Sequence, residues 1–180
     1  PQVNSTLPMT VVFSDIKSYT QMSKSLHAAK LKEFLDNYLH KMGEIINRCG
    51  GTIDKIMGDG ILALFCNHSF CTDHSKNAVE ASWEMQKGAN DLRQKWQQLS
   101  SRLDLQIRIG IATGEVILSE TPLRSQNRNI AVGSVVNLAS RLQEKATPGT
   151  ILISQSTYRN ISDYFVCRPI SDLELKGFAD

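Results

Sequence analysis

The chain has 180 residues, of which 41% are hydrophobic and 21% are charged, and its formal net charge at pH 7 is +2. That length suits one domain with its own core, and the composition excludes a disordered protein. The small net charge argues against nucleic acid as a partner, and no apolar run approaches the roughly 20 residues of a membrane span. The four cysteines form no C-x-x-C pair, which favours reduced thiols in a cytoplasmic domain.

The first elements follow from the apolar pattern. Residues 1–8 predict a loose lead-in, and the start at Pro1 favours a domain excised from a longer protein, with any sensor or membrane anchor outside this chain. The apolar run 9–14 predicts a strand that ends at Asp15. Apolar residues at helical spacing predict a helix over 28–48, which the Gly-Gly pair at 50–51 ends.

A β-hairpin follows, with strands predicted over 52–57 and 61–66 and a Gly-Asp-Gly tip around Asp59. The glycines supply the positive φ angles of a tight turn and leave space for a ligand. Mg²⁺ prefers one or two carboxylates together with phosphate oxygens and water. Asp15 and Asp59 therefore predict a metal-dependent enzyme acting on a nucleoside triphosphate. Taken alone, Asp15 is better explained as a helix N-cap and Asp59 as an ordinary turn residue.

A second group of metal-ligating residue types follows the hairpin. Its members are Cys66, His68, Cys71, Asp73 and His74. Zinc uses such ligands, but their spacing matches no common structural zinc pattern, so ordinary loop residues are the better explanation.

The second half of the chain continues the alternation of helices and strands. We predict a helix over 73–99, a strand over 103–112, a turn at Gly114, a strand over 116–118, a loop over 120–129, a helix from 133 or 134 to 145, a strand over 151–153, a helix over 155–161, and strands over 164–169 and 172–176. This order predicts an α+β fold with a ferredoxin-like β-α-β-β-α-β core, whose mostly antiparallel sheet carries helices on one face.

Four segments together resemble the class III nucleotidyl cyclases, the family of adenylyl and guanylyl cyclase catalytic domains. They are 13–16 (FSDI), 50–60 (GGTIDKIMGDG), 133–141 (GSVVNLASR) and 175–177 (LKG). They occur in the family's order and extend over nearly the whole chain, so residues 1–180 are interpreted as one catalytic domain. The resemblance is greatest to a bacterial-type homodimeric adenylyl cyclase, and it implies conversion of ATP to 3′,5′-cyclic AMP and pyrophosphate.

The resemblance also implies the metal ligands. Asp15 and Asp59 would bridge two divalent cations, Mg²⁺ or Mn²⁺, and the backbone carbonyl of Ile16 would be a further ligand. Two metal ions suit this reaction because they activate the attacking ribose oxygen and neutralise the leaving group.

Three more residues take catalytic or substrate-binding roles by the same resemblance. Asn137 would orient the ribose, Arg141 would stabilise charge that develops on the phosphate, and Lys176 would contact the triphosphate. Asn137 and Arg141 are four residues apart, which places them on one face of the predicted helix. A permanently charged, planar guanidinium suits the role given to Arg141.

Base choice rests on Lys55 and Ile130. The resemblance makes Lys55 a mark of ATP use, and a lysine can donate to adenine N1, which accepts a hydrogen bond. Ile130 stands where the family usually has Asp or Thr to accept from the adenine amino group. Because an isoleucine side chain cannot accept, the choice between ATP and GTP stays open at this point.

In this family each active site forms between two domains, and this chain carries both sets of residues. The resemblance therefore implies a homodimer with two equivalent sites. Three alternatives remain: a guanylyl or mixed-specificity cyclase, a diguanylate cyclase or polymerase-like palm, and a cyclase-like domain that binds nucleotide or dimerises without turnover. The helix with Asn137 and Arg141 argues against the palm.

Overall fold

The computed structural model of the chain describes residues 5–17, 19–66, 73–99, 104–120, 129–171 and 173–175. In chain order the elements are β1 (Ser5–Ile16), α1 (Tyr19–Ser25), α2 (Ala28–Arg48), β2 (Thr52–Met57), β3 (Gly60–Cys66), α3 (His74–Leu99), β4 (Ile107–Glu120), β5 (Asn129–Val132), α4 (Ser134–Lys145), β6 (Ile151–Ile153) and α5 (Gln155–Ile161).

The strands form one sheet in the order β2-β3-β1-β4-β5. Strand β1 is central and pairs antiparallel with β3 on one side and with β4 on the other. The edge of β4 that faces away from β1 pairs with two short strands. Strand β5 pairs antiparallel near the C-terminal end of β4, and β6 pairs parallel near its N-terminal end. The α+β class and the mostly antiparallel sheet are thereby confirmed.

Alternation along the central strand divides the core between the two faces of the sheet, because successive strand side chains point to opposite faces. Val12 and Ile16 belong to the cluster that contains the apolar sides of α2 and α3. Met9 and Val11 belong to the cluster that contains the apolar residues of α4. The prediction of helices on one face thus holds for α2 and α3, whereas α4 packs on the opposite face.

Helix α4 approaches the sheet closely at Gly110 of β4. A Cβ added to Gly110 would overlap the carbonyl oxygen of Ala139 and the backbone nitrogen of Gln143. A glycine without a side chain is therefore what lets the backbone of α4 lie against β4. This contact sets the position of the helix that carries Asn137 and Arg141.

Buried hydroxyl groups connect β1 and β4 to α3 and α5. The Oγ1 atom of Thr10 lies 2.8 Å from Nδ1 of His74, 2.9 Å from Oγ of Ser75 and 2.8 Å from Oγ1 of Thr113. Thr113 in turn lies 2.9 Å from Oγ1 of Thr157. The hydrogen bonds satisfy polar groups that would be costly to bury alone.

Several predicted boundaries differ from the structure. Strand β1 begins at Ser5, within the predicted lead-in 1–8, and α1 and β5 were not predicted. The turn predicted at Gly114 was wrong, because β4 runs unbroken through it and pairs with β1 on both sides. Residues 164–169 form no strand, and the described residues 173–175 of the other predicted strand form none either.

None of the helices that the structure describes is long and apolar enough to cross a membrane.

Candidate active site

Asp15 lies near the end of the central strand, on the face of the sheet that α4 covers. Its carboxylate is about a quarter exposed and is held by the guanidinium of Arg108. Nε of Arg108 lies 3.1 Å from Oδ1 of Asp15, and Nη2 lies 2.8 Å from Oδ2. The two residues are direct partners in the pairing of β1 with β4. Both carboxylate oxygens therefore accept from one guanidinium, the bidentate geometry typical of strong Arg–carboxylate pairs.

Asp59 lies in the turn between β2 and β3, as the sequence predicts. The turn is possible because Gly58 takes a φ of +63°, which a residue with a side chain adopts only at a cost. Oδ2 of Asp59 accepts a hydrogen bond of 2.8 Å from the backbone N–H of Ile16. This bond brings the second carboxylate to the residue that follows Asp15.

The environment of the Asp59 carboxyl includes the charges of Asp15 and Arg108. Burial raises the pKa of the Asp59 carboxyl, and the negative charge of Asp15 adds to the rise. The N–H groups of Ile16 and of Asp59 itself, together with the charge of Arg108, oppose it. A half-buried carboxylate beside a second carboxylate is the environment that a bound cation would stabilise.

Asn137 and Arg141 are both exposed on α4, one turn apart, as predicted. The Nη1 atom of Arg141 donates to both carboxylate oxygens of Glu144, at 3.1 and 2.9 Å. Within the described part of one chain, Arg141 is thus held by Glu144 and by neither aspartate. The structure groups Asp15, Ile16 and Asp59 in one place and presents Asn137 and Arg141 to solvent.

The predicted base-reading and triphosphate residues are described only in part. Lys55 lies in β2 with its side chain 42% exposed, and its Nζ is 4.0 Å from Oδ2 of Asp54. Ile130 belongs to β5, where its backbone is paired with Ser119, but its side chain lies outside the described part of the chain. Lys176 lies outside the described residues altogether.

The sequence prediction missed Arg108 and Glu144. Arg108 is a charged residue between two buried isoleucines of a strand, which indicates only that it faces away from them. Its partner Asp15 is 93 residues away in sequence, so only the pairing register of β1 and β4 identifies the contact. Glu144 follows Arg141 by three residues, a spacing typical of ion pairs on a helix, so the sequence gives a weak indication of this contact.

The alternative zinc cluster is described only at Cys66, Asp73 and His74, because residues 67–72 lie outside the described part. Nδ1 of His74 hydrogen-bonds to Thr10. Among the described residues, no three side chains of His, Cys, Asp or Glu come together as a metal site.

Comparison with known proteins identifies the class. The chain matches the family described as the adenylate and guanylate cyclase catalytic domain over residues 2–180, so it belongs to that family. The predicted resemblance is confirmed. Catalytic domains of this family act on nucleotides as dimers and generally use divalent metals.

Individual relatives agree with this assignment. The adenylate cyclase of Anabaena cylindrica is 34% identical over 160 residues, which cover 88% of this chain and 32% of that protein. The adenylyl cyclase CyaB from P. aeruginosa superimposes with a TM-score of 0.93 at 36% identity, covering 98% of this chain and 91% of that chain. The guanylyl cyclase Cya2 gives a TM-score of 0.91 at 32% identity, covering 98% and 89%. The chain thus spans about a third of the length of the Anabaena relative.

Proposed function

We propose that this domain is an adenylyl cyclase, which converts ATP to 3′,5′-cyclic AMP and pyrophosphate. The observation that carries the proposal is the hydrogen bond from Ile16 to Asp59, which gathers Asp15, Ile16 and Asp59 at one end of the central strand. The similarity to adenylate cyclases over most of the chain supports ATP as the substrate.

The carboxylates of Asp15 and Asp59 and the carbonyl of Ile16 are an all-oxygen donor set, which suits two Mg²⁺ or Mn²⁺ ions. Mg²⁺ needs only one or two protein carboxylates when substrate phosphates and water complete its shell. When bound, such ions lower the pKa of the attacking hydroxyl and neutralise charge on the leaving pyrophosphate. The raised pKa of Asp59 and the closeness of Asp15 are consistent with a site built for cations.

In the reaction the ribose 3′ oxygen attacks the α-phosphorus, the bond from that phosphorus to the β-phosphate oxygen breaks, and the hydroxyl proton leaves to solvent or base. We assign to Asn137 the orientation of the ribose and to Arg141 the stabilisation of charge on the α-phosphate. Both are exposed on α4, which leaves them accessible to a second copy of the chain. Arg141 must exchange Glu144 for the phosphate when it acts.

The proposed assembly is a homodimer with two equivalent sites, in which one chain supplies Asp15 and Asp59 and the other supplies Lys55, Asn137 and Arg141. This arrangement explains why Arg141 contacts neither aspartate within one chain. Lys176 is proposed to contact the triphosphate from the C-terminal segment. We place the domain in the cytoplasm, where ATP, its proposed substrate, is found.

We assign adenine selection to Lys55, which can donate to adenine N1. Ile130 supplies no acceptor for the adenine amino group, and the chain is also similar to the guanylyl cyclase Cya2. A guanylyl or mixed-specificity cyclase is therefore the second candidate function. A domain that binds nucleotide without turnover is the third, and the presence of Asp15, Asp59, Asn137 and Arg141 together argues against it.

Product identification tests these candidates directly. The purified domain, at a concentration where it is a dimer, is incubated with ATP or GTP and either Mg²⁺ or Mn²⁺, and the products are identified by mass spectrometry. Cyclic AMP that is lost in Asp59→Ala supports the proposal, whereas cyclic GMP as the main product supports the second candidate. No cyclic product from a demonstrated dimer with either nucleotide contradicts both and favours the third.

A further inference from the structure

The ion pair between Asp15 and Arg108 occupies the carboxylate that the proposed metal site needs. Two separate guanidinium nitrogens reach the two carboxylate oxygens, at 3.1 and 2.8 Å. The side chains of Asp15 and Arg108 are only 25% and 27% exposed, so water screens the pair less than it screens the other ion pairs on the surface.

The guanidinium of Arg108 is fixed from two directions. Its strand position is directly opposite Asp15 in the β1–β4 pairing. Its remaining terminal nitrogen, Nη1, is 3.4 Å from the backbone carbonyl of Glu144 near the end of α4, a long hydrogen bond. A guanidinium that is bonded on both sides is pre-organised for the carboxylate of Asp15, because the Arg108 side chain has little conformational freedom left to lose.

We propose that Arg108 is the resident counter-ion of Asp15 and that a divalent cation must displace it to use that carboxylate, an inference that rests on the metal-binding role proposed above. In the metal-free domain the guanidinium neutralises one of two adjacent carboxylates, which limits the repulsion between Asp15 and Asp59. When a cation binds, the favourable contact with Arg108 is given up. Arg108 is thus a positioning residue that holds the Asp15 carboxylate in place and lowers the affinity of the site for metal.

Metal binding without nucleotide tests this proposal apart from catalysis. Free Mn²⁺ is measured by electron paramagnetic resonance while the metal-free domain is titrated, for the wild type, Arg108→Gln and Arg108→Lys. Glutamine removes the charge, whereas lysine keeps the charge but cannot hold both oxygens as a fork. Arg93→Gln is the matched control, because Arg93 makes an ion pair of 2.7 Å with Asp104, which is not one of the proposed metal ligands.

We expect Arg108→Gln to bind Mn²⁺ roughly two- to fivefold more tightly than the wild type, because that ratio corresponds to the free energy that a partly exposed ion pair contributes. Arg108→Lys should fall between the two, and Arg93→Gln should match the wild type. Without metal, Arg108→Gln should also unfold at a lower temperature, and saturating Mn²⁺ should raise its Tm by more than it raises that of the wild type.

Unchanged or weaker Mn²⁺ binding in Arg108→Gln would overturn the proposal, while the metal site itself would stand. If Arg108→Lys binds Mn²⁺ as tightly as the wild type does, the positive charge alone sets the metal affinity. That result would overturn the proposal that the cation displaces a bidentate guanidinium from Asp15. If Arg108→Gln does not fold, the Mn²⁺ affinity of Arg108→Lys, compared with that of the wild type, tests the proposal instead. A failure of all variants to bind Mn²⁺, or binding that survives Asp59→Ala, would instead refute the proposed metal function on which this inference rests.

Discussion

The backbone N–H of Ile16 donates a 2.8 Å hydrogen bond to the carboxylate of Asp59, across 43 residues of sequence. This bond fixes the tip of the β2–β3 hairpin against the end of the central strand. Because Ile16 itself is buried, the strand end cannot move independently of the core. The placement of the two aspartates therefore follows from the sheet and from the turn between β2 and β3.

If the active sites are shared between two chains, inactive variants should complement each other. Asp59→Ala and Arg141→Ala should each be inactive alone, and equal mixing should restore at most about a quarter of wild-type activity. About half of the random dimers are heterodimers, and each has one intact site of two. Cyclic AMP formation is measured after the chains have been mixed and allowed to exchange.

The control for complementation is a mixture of Asp15→Ala with Asp59→Ala. Both substitutions damage the same half of each site, so this mixture should stay inactive. A mixture of Asp59→Ala and Arg141→Ala that forms heterodimers without regaining activity would contradict the shared-site arrangement.

Replacing Lys55 should change nucleotide choice more than it changes stability. Its side chain is partly exposed in β2, with Nζ 4.0 Å from Asp54, so its loss costs the core little. In Lys55→Glu a carboxylate cannot donate to adenine N1, and cyclic AMP formation from ATP should fall at least about tenfold relative to that from GTP. Rates with both nucleotides are compared, together with thermal unfolding.

Lys30→Glu is the matched control, because Lys30 is an exposed lysine of α2 with no proposed role in the site, and its replacement makes the same change of charge. Its ratio of ATP to GTP use should equal that of the wild type. An unchanged ratio in Lys55→Glu would remove Lys55 from base selection.

Local signals predict the hairpin and α2 well, because each depends on residues close in sequence. The stripe of apolar residues on α2 includes Phe34, Tyr38 and Met42, all buried. The turn at Asp59 follows from its flanking glycines. The two aspartates could thus be identified as a pair from the sequence.

Features that depend on distant partners could not be predicted in this way. Gly114 has the composition of a turn, but its absent side chain instead makes room for Val135 of α4. Residues 164–169 have the pattern of a strand, yet no neighbouring strand pairs with them among the described residues. Arg108 becomes part of the site only through the register that sets it opposite Asp15.

A side chain at Gly110 should separate α4 from the sheet. In Gly110→Ala the new methyl group meets the backbone of Ala139 and Gln143, which cannot rotate away. We expect a loss of at least about 2–3 kcal/mol in the free energy of unfolding, measured by urea denaturation, because overpacking forces backbone shifts. Activity of the folded fraction should also fall, since Asn137 and Arg141 move with α4.

Gly43→Ala is the control for this substitution. Its methyl group would lie 3.5 Å from Cδ1 of Ile53, an ordinary contact, within helix α2. It should stabilise the domain by about 0.5–1 kcal/mol, because alanine favours the helix. Equal stability of Gly110→Ala and the wild type would show that α4 can retreat without cost.

His74 should make the domain less stable in mild acid. Burial lowers the pKa of its imidazole below 6.5, and the charge of Asp73 only partly opposes this. The unfolded chain therefore binds more protons than the folded chain between the lowered pKa and the unfolded value, so stability falls as the pH drops through that window. Its hydrogen-bond partner Thr10 is uncharged, as are Ser75 and Thr113, which bond to Thr10, so none of the three supplies a compensating anion.

The urea midpoint is compared between about pH 7.5 and pH 5.5, across the range in which histidine titrates. His74→Gln keeps an amide able to bond with Thr10 but cannot be protonated, so its midpoint should fall less in acid than that of the wild type. His27→Gln should behave as the wild type does, because His27 is exposed and its side chain makes no cap hydrogen bond at the start of α2. Equal acid sensitivity in His74→Gln and the wild type would assign the effect to other groups.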